Sequence, residues 1–186
     1  LSPVRVARGV MEHTSHVLLV GEGAERFAAS RDFERVANPG DYYTPAESGA
    51  THASGTVGAV ARDTQGRLAA ATSTGGLQGK LPGRVGDTPI IGAGCWADRR
   101  AAVSCTGLGE YFMRVNAAAD VSARIAYAGI NLEAAADAVI EDVRNLGGYG
   151  GLIAVDAEGN VTTPFASQGM KRAWAASTGV REVKTF

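Results

Sequence analysis

The strongest constraint on how this chain can fold is a border at Thr56. Upstream, a segment of about residues 37–55 carries Pro39, Pro45, several glycines and hydroxyl residues, with no hydrophobic period. Such a stretch predicts a flexible linker. Downstream the sequence changes abruptly to Thr56-Val57-Gly58-Ala59-Val60-Ala61-Arg62-Asp63. Residues 57–63 and 67–73 flank Thr64-Gln65-Gly66, which predicts a β-hairpin whose positive-φ position is filled by Gly66. Both strands are rich in small apolar residues, a composition that suits a sheet covered on both faces.

The rest of the chain predicts a mixture of helices and strands. Pro3 with Val6, Val10 and Met11 predicts a short helix over residues 3–12. Residues 17–20 read as a short buried strand and residues 21–29 as a turn into a helix. Further strands are expected at residues 95–98 and 101–105, around the polar Asp98-Arg99-Arg100. Helical segments follow at residues 109–114 and 121–127. Leu132, Ala135, Ala136, Val139, Ile140 and Val143 repeat at close to 3.6 residues and predict a longer helix, with Glu133 and Asp137 on the opposite face. Residues 147–151 close it, a second hairpin spans residues 152–163, and a last strand lies near residues 170–175. Pattern alone specifies an α+β fold.

Composition excludes several functions. With 186 residues, 45% of them hydrophobic, and a formal charge of −1, the chain reads as one globular domain without an electrostatic reason to bind nucleic acid or an anionic membrane. No apolar run is long enough to cross a bilayer and no signal segment opens the chain, which makes the cytoplasm the expected compartment. Cys95 and Cys105 sit in apolar strand-like runs and read as reduced core thiols. His13 and His16 lack accompanying Cys or carboxylate residues and read as a solvated helix end rather than a metal pair. His52, in the linker, reads as exposed rather than as a general base. Gly21-x-Gly23 lacks the third glycine of a dinucleotide site.

Thr56 draws attention for its chemistry. A threonine hydroxyl is a poor nucleophile, and one way to activate it is to cut the chain before it, so that its own α-amine serves as base. That amine has a pKa of about 8 and is partly unprotonated near neutral pH. The Gly55-Thr56 bond is the candidate cleavage site. Gly55, without a Cβ, lets the Thr56 hydroxyl approach its carbonyl.

Three downstream blocks, Thr72-Ser73-Thr74-Gly75-Gly76, then Pro82-Gly83-Arg84-Val85-Gly86-Asp87-Thr88-Pro89-Ile90-Ile91-Gly92-Ala93-Gly94, then Ser104-Cys105-Thr106-Gly107-Leu108-Gly109-Glu110, resemble the plant-type asparaginase and isoaspartyl peptidase family of N-terminal nucleophile hydrolases. The likeness extends to Val10-Met11-Glu12 upstream and to Gly148-Tyr149-Gly150-Gly151 and Pro164-Phe165 downstream. It implies a four-layer αββα sandwich with mainly antiparallel sheets, in a single domain over residues 1–186. Residues 1–55 would be the C-terminal part of an α subunit and residues 56–186 the β subunit. The chain opens at Leu1, directly before a helix of the family pattern, and is expected to lack the first part of that α subunit.

The resemblance assigns roles residue by residue. Thr56 matches the nucleophile and Thr74 the threonine that supports it. Arg84 and Asp87 match a clamp on the α-carboxylate and α-ammonium of an aspartyl substrate, a pairing that demands a zwitterionic head. Thr106 and Gly107 match the oxyanion hole, and Gly109 lets the backbone come close to the substrate amine. The implied activity is self-cleavage followed by hydrolysis of the side-chain amide of L-asparagine and of β-aspartyl dipeptides. No organic cofactor is implied. A structural sodium ion belongs to a family loop expected upstream of this chain, and the implied assembly is a homodimer of α/β units. Alternatives are a glycosylasparaginase, where an Asp commonly stands in place of Gly55, and an unprocessed amino-acid-binding remnant. Leu108 stands where many relatives carry a small or hydroxyl residue.

Overall fold

The structure, a computed structural model, describes residues 2–38 and 54–186. Most of the linker segment, with His52, lies outside the described residues. The chain divides into two compact units, residues 1–53 and 54–186.

In the first unit, helix α1 (Pro3–His13) starts with Pro3 in its first turn, and Thr14 closes it by donating from its hydroxyl and its amide to the Val10 carbonyl. Helix α2 spans Gly21–Ser30. Gly9 makes room for the Phe33 ring, which also lies 6.4 Å from the Phe27 ring centre. The strand expected at residues 17–20 does not form, and Val17 and Val20 are exposed. A strand exists only through its ladder, and no described residue pairs with this run.

The second unit is α+β, with only antiparallel ladders among its named strands. Strands β1 (Ser54–Arg62) and β2 (Leu68–Leu77) form the expected hairpin, its turn closed by the Asp63 carboxylate and by Gly66 at φ +78. A four-stranded sheet runs β3 (Cys95–Ala97), β4 (Ala101–Gly107), β5 (Gly150–Asp156), β6 (Val161–Thr162). Alternation along β4 explains the layering. Ala101, Val103 and Cys105 enter the core with Leu152 and Ala154 of β5. Ala102, Ser104 and Thr106 face the other way, and there the hairpin packs.

Helices α3 (Gly109–Val115), α4 (Ala117–Ala123) and α5 (Leu132–Asn145) cover the core face. The periodicity of α5 is borne out: Leu132, Ala135, Ala136, Val139, Ile140 and Val143 are all buried. Asn131 caps it by accepting from the Ala134 amide at 2.8 Å. The segment expected to be helical at residues 121–127 is the end of α4 plus one π-helical turn, Arg124–Ala128, stopped by Gly129 at φ +66. A separate hairpin of β7 (Arg172–Ala175) and β8 (Arg181–Lys184) ends the chain; only its first strand was expected from the sequence.

One expectation is corrected. Among the described residues of this unit, only one face of the β1–β2 sheet is covered: Val57 is 70% exposed, and Ala59 and Ala61 beside it are exposed too. On the inner face a small residue is required at position 58. Gly58 lies so close to Ser104 that a Cβ there would collide with the serine hydroxyl.

Candidate active site

Two sheets meeting through small polar side chains define the site. Thr72 donates its single hydroxyl proton to the Gly94 carbonyl at 3.1 Å, so the 2.7 Å contact with Ser104 has the serine as donor. Thr56 shares the inner face of β1 with Gly58, and Thr106 shares the face of β4 that carries Ser104. Thr56, Thr74 and Thr106 therefore all face the space between hairpin and sheet.

Thr56 and Thr74 are register partners on β1 and β2. The Thr56 hydroxyl donates to the Thr74 hydroxyl at 3.0 Å, which in turn donates to the Gly55 carbonyl at 3.0 Å and accepts from the Gly76 amide at 2.9 Å. The ladder register shifts between Ser54 and Thr56, where two steps along β1 face three along β2, so the extra residue lies in β2 opposite this bond. The Thr106 hydroxyl has no protein partner among the described residues. Gly107 follows at φ +149, a backbone angle side chains rarely adopt, and pairs with Gly150.

Asp87 lies in the loop before β3. It is 6% exposed, and its Oδ2 has no hydrogen-bond partner among the described residues. Burial pushes its carboxyl above the ordinary range, against the opposing pull of its own amide, the Arg84 charge and the Thr88 amide. Two glycines wall it in: a Cβ on Gly94 would come within 2.7 Å of Oδ2, and one on Gly109 within 2.7 Å of Oδ1. A buried carboxylate oxygen left unpaired in so tight a cradle is chemically a socket for a cationic donor.

Arg84 presents a feature that spacing did not show. Its Nε and Nη2 each donate to Glu110 of α3 at 2.8 Å, a bidentate pair. Glu110 raises the Arg84 pKa, and the Arg84 hydrogen bond lowers that of Glu110. Arg84 and Glu110 are far apart in sequence and belong to different blocks, so only the fold brings them together. The side edge of the guanidinium is thus taken, while its end edge is left.

The structure links Gly55, Thr56 and Thr74 by hydrogen bonds, and Asp87 to Gly94 and Gly109 by close approach. Gly94 ties the two groups, because its carbonyl accepts from Thr72 of β2. Two cavities, of about 320 and 180 Å³, lie at the far end of β4 around Arg100 and include none of these residues. Among the described residues no cluster of three or more His, Cys, Asp or Glu is placed to hold a metal ion, and no helix is long and apolar enough to cross a membrane. Cys95 and Cys105 are unbridged, and burial raises the Cys105 thiol well above its usual range.

Comparison with known proteins places the sequence. The chain is 53% identical to an isoaspartyl peptidase of Salmonella typhimurium over 92% of its length and 62% of the relative's. It is 50% identical to an isoaspartyl peptidase of Escherichia coli, covering 93% of the chain and 61% of the relative. Against an isoaspartyl peptidase/L-asparaginase of Mus musculus the identity is 42%, covering 94% and 58%. The chain thus spans about three fifths of the length of these relatives. The sequence pattern of the asparaginase family matches residues 1–48 and 41–185. With that pattern running through the threonine ladder and the Asp87 cradle alike, the chain belongs to the asparaginase family.

Proposed function

We propose that the protein of which this chain is part is a self-cleaving amidohydrolase that acts on L-asparagine and β-aspartyl dipeptides through Thr56. The observation that carries this reading is the relay from the Thr56 hydroxyl to Thr74 and from Thr74 to the Gly55 carbonyl. A hydroxyl donor on the scissile carbonyl polarises it toward attack, and the attacking hydroxyl is held on the same partner. Similarity to relatives named isoaspartyl peptidase and L-asparaginase supports the substrate class. The division of the chain between Ala53 and Ser54, close to the proposed cut, suits an α/β subunit boundary.

In maturation the Thr56 oxygen attacks the Gly55 carbonyl carbon, the C–N bond breaks as the hydroxyl proton passes to the departing Thr56 amine, and water hydrolyses the resulting ester, leaving Gly55 as a carboxylate and restoring the Thr56 hydroxyl. In turnover that amine accepts the hydroxyl proton as the oxygen attacks the substrate β-carbonyl. The Thr106 hydroxyl and the Gly107 amide face the oxyanion, a contribution of roughly 3–4 kcal/mol for such a donor. Ammonia or an amino acid leaves with a proton, and water cleaves the β-aspartyl ester. Asp87 binds the substrate α-ammonium and Arg84 its α-carboxylate. Neither stage calls for an organic cofactor. The helix, sheet and hairpin layers of residues 54–186 supply αββ of an αββα sandwich, and the working assembly is a cytoplasmic homodimer of α/β units.

Intact mass after prolonged incubation, beside a Thr56→Ala control, tests the reading. Two fragments with the larger beginning at Thr56, no cleavage in the control, and hydrolysis of β-aspartyl dipeptides are expected. A mature protein that leaves both asparagine and β-aspartyl dipeptides intact sinks it.

A further inference from the structure

The geometry points to Glu110 as a positioning residue that turns Arg84 so that the end edge of its guanidinium faces the substrate α-carboxylate. The inference rests on the proposed reaction and specifies how the clamp is aimed. A guanidinium carries five N–H groups in a fixed plane. Glu110 takes the Nε–H and one Nη2–H at 2.8 Å each. What remains toward a ligand is the other edge, one proton each from Nη1 and Nη2, which is again a bidentate fork for a carboxylate.

Gly86 completes the arrangement. A Cβ on residue 86 would lie 2.6 Å from Arg84 Nη1 and 3.3 Å from its Cζ. The guanidinium therefore rests against bare backbone on one side and against Glu110 on the other. The Arg84 side chain is only 16% exposed, whereas Glu110 is 50% exposed, so the carboxylate approaches from the solvent side and holds a largely covered cation.

Two effects of Glu110 oppose each other. Its charge reduces the pull of Arg84 on a substrate anion; its fork removes the rotational freedom that Arg84 would otherwise lose on binding. Charge on a half-exposed group is screened by solvent and falls with distance across the guanidinium. Orientation is not screened, and it wins.

The aim matters for one class of ligand only, those with a free α-carboxylate. Competitive inhibition of the mature protein by L-aspartate and by β-alanine, which is aspartate without that carboxylate, separates the effects. Glu110→Gln is expected to raise the inhibition constant of L-aspartate about tenfold and to leave that of β-alanine within about twofold, with kcat on a β-aspartyl dipeptide changed less than about threefold. Glu110→Asp keeps the charge but is too short to span the fork, and is expected to follow the Gln variant. Gly86→Ala, which crowds Nη1, is expected to weaken L-aspartate in the same selective way. An L-aspartate constant that stays put or falls in Glu110→Gln overturns the inference, as does an equal loss for β-alanine. An unaltered protein that hydrolyses β-aspartyl dipeptides while the variants show no selective loss overturns this inference alone. One that neither hydrolyses them nor binds aspartate removes the proposed function with it.

Discussion

Strand β3 separates two aspartates with opposite circumstances. Asp98, just past its end, is saturated: its carboxylate accepts from the Ser122 hydroxyl at 2.6 Å and from the Arg100 and Ala101 amides at 2.7 and 3.2 Å, and pairs with the Arg100 guanidinium at 3.3 Å. Burial alone would raise its pKa, but these donors outweigh burial and hold it low. Asp87, packed against Gly94 just before the strand, is deeper and has an oxygen with no partner among the described residues, and its pKa is raised. One carboxylate ties a turn; the other carries a desolvation cost to the fold that protonation or a cationic partner would offset. A satisfied acid and an unsatisfied one, at the two ends of one strand, differ in partners more sharply than in burial, and the proposed binding role rests on that difference.

The largest expected effect breaks the comparison at Asp87. Asp87→Asn should lower kcat/KM on β-aspartyl dipeptides by about 10³-fold, roughly 4 kcal/mol, because the substrate ammonium loses a desolvated partner. Thermal melting at pH 7 should show this variant at least as stable as the parent; a lower melting temperature would place Asp87 with Asp98. Conversely, Asp98→Ala should destabilise by about 2–3 kcal/mol through its orphaned donors, read by denaturant unfolding, with kcat/KM within about threefold.

Gly94→Ala tests the cradle. The added methyl displaces Asp87 Oδ2 and should raise KM by about tenfold or more, and KM measured on the purified variant decides it. The smallest effect is in pH dependence. Because the folded pKa of Asp87 is raised above its ordinary value of 3.8, its penalty is absent below that value and grows as pH rises through the folded pKa. The stability gap between Asp87→Asn and parent should therefore open on going from acid toward neutral pH. Asp98 has the opposite sign: its folded pKa lies below 3.8, so its stabilisation is present above that value and is lost as pH falls through the folded pKa. Unfolding free energies measured across the acid range should show the two variants diverging from the parent in opposite directions.

Much of the fold was legible because it rests on local pattern. Helix α5 follows from its apolar spacing, and the β1–β2 hairpin from its turn and Gly66. Where the structure departs, the cause is pairing that no local pattern encodes. Residues 17–20 have the composition of a strand but no described ladder partner. Strand β8, with Arg181, Glu182 and Lys184 around Val183, has too few apolar residues to stand out. At the site, Thr56, Thr74, Arg84, Asp87, Thr106, Gly107 and Gly109 were singled out by their resemblance to a family pattern. What could not be read was mutual: that Glu110 occupies one edge of Arg84, that Ser104 donates to Thr72, and that Asp87 retains an empty acceptor.

The meeting of Gly58 with Ser104 acts as a gauge for the whole centre. The sheets are held apart at that point by a hydrogen atom and a hydroxyl, and Thr56 and Thr106 each lie two residues along their strands from it. A methyl group at position 58 would work as a wedge, and the widening would be passed along about 7 Å of each strand to Thr56 and to Thr106. On the proposed reading, the clearance between the Thr56 hydroxyl and the Thr106 hydroxyl is set by a contact that leaves no room for a methyl group.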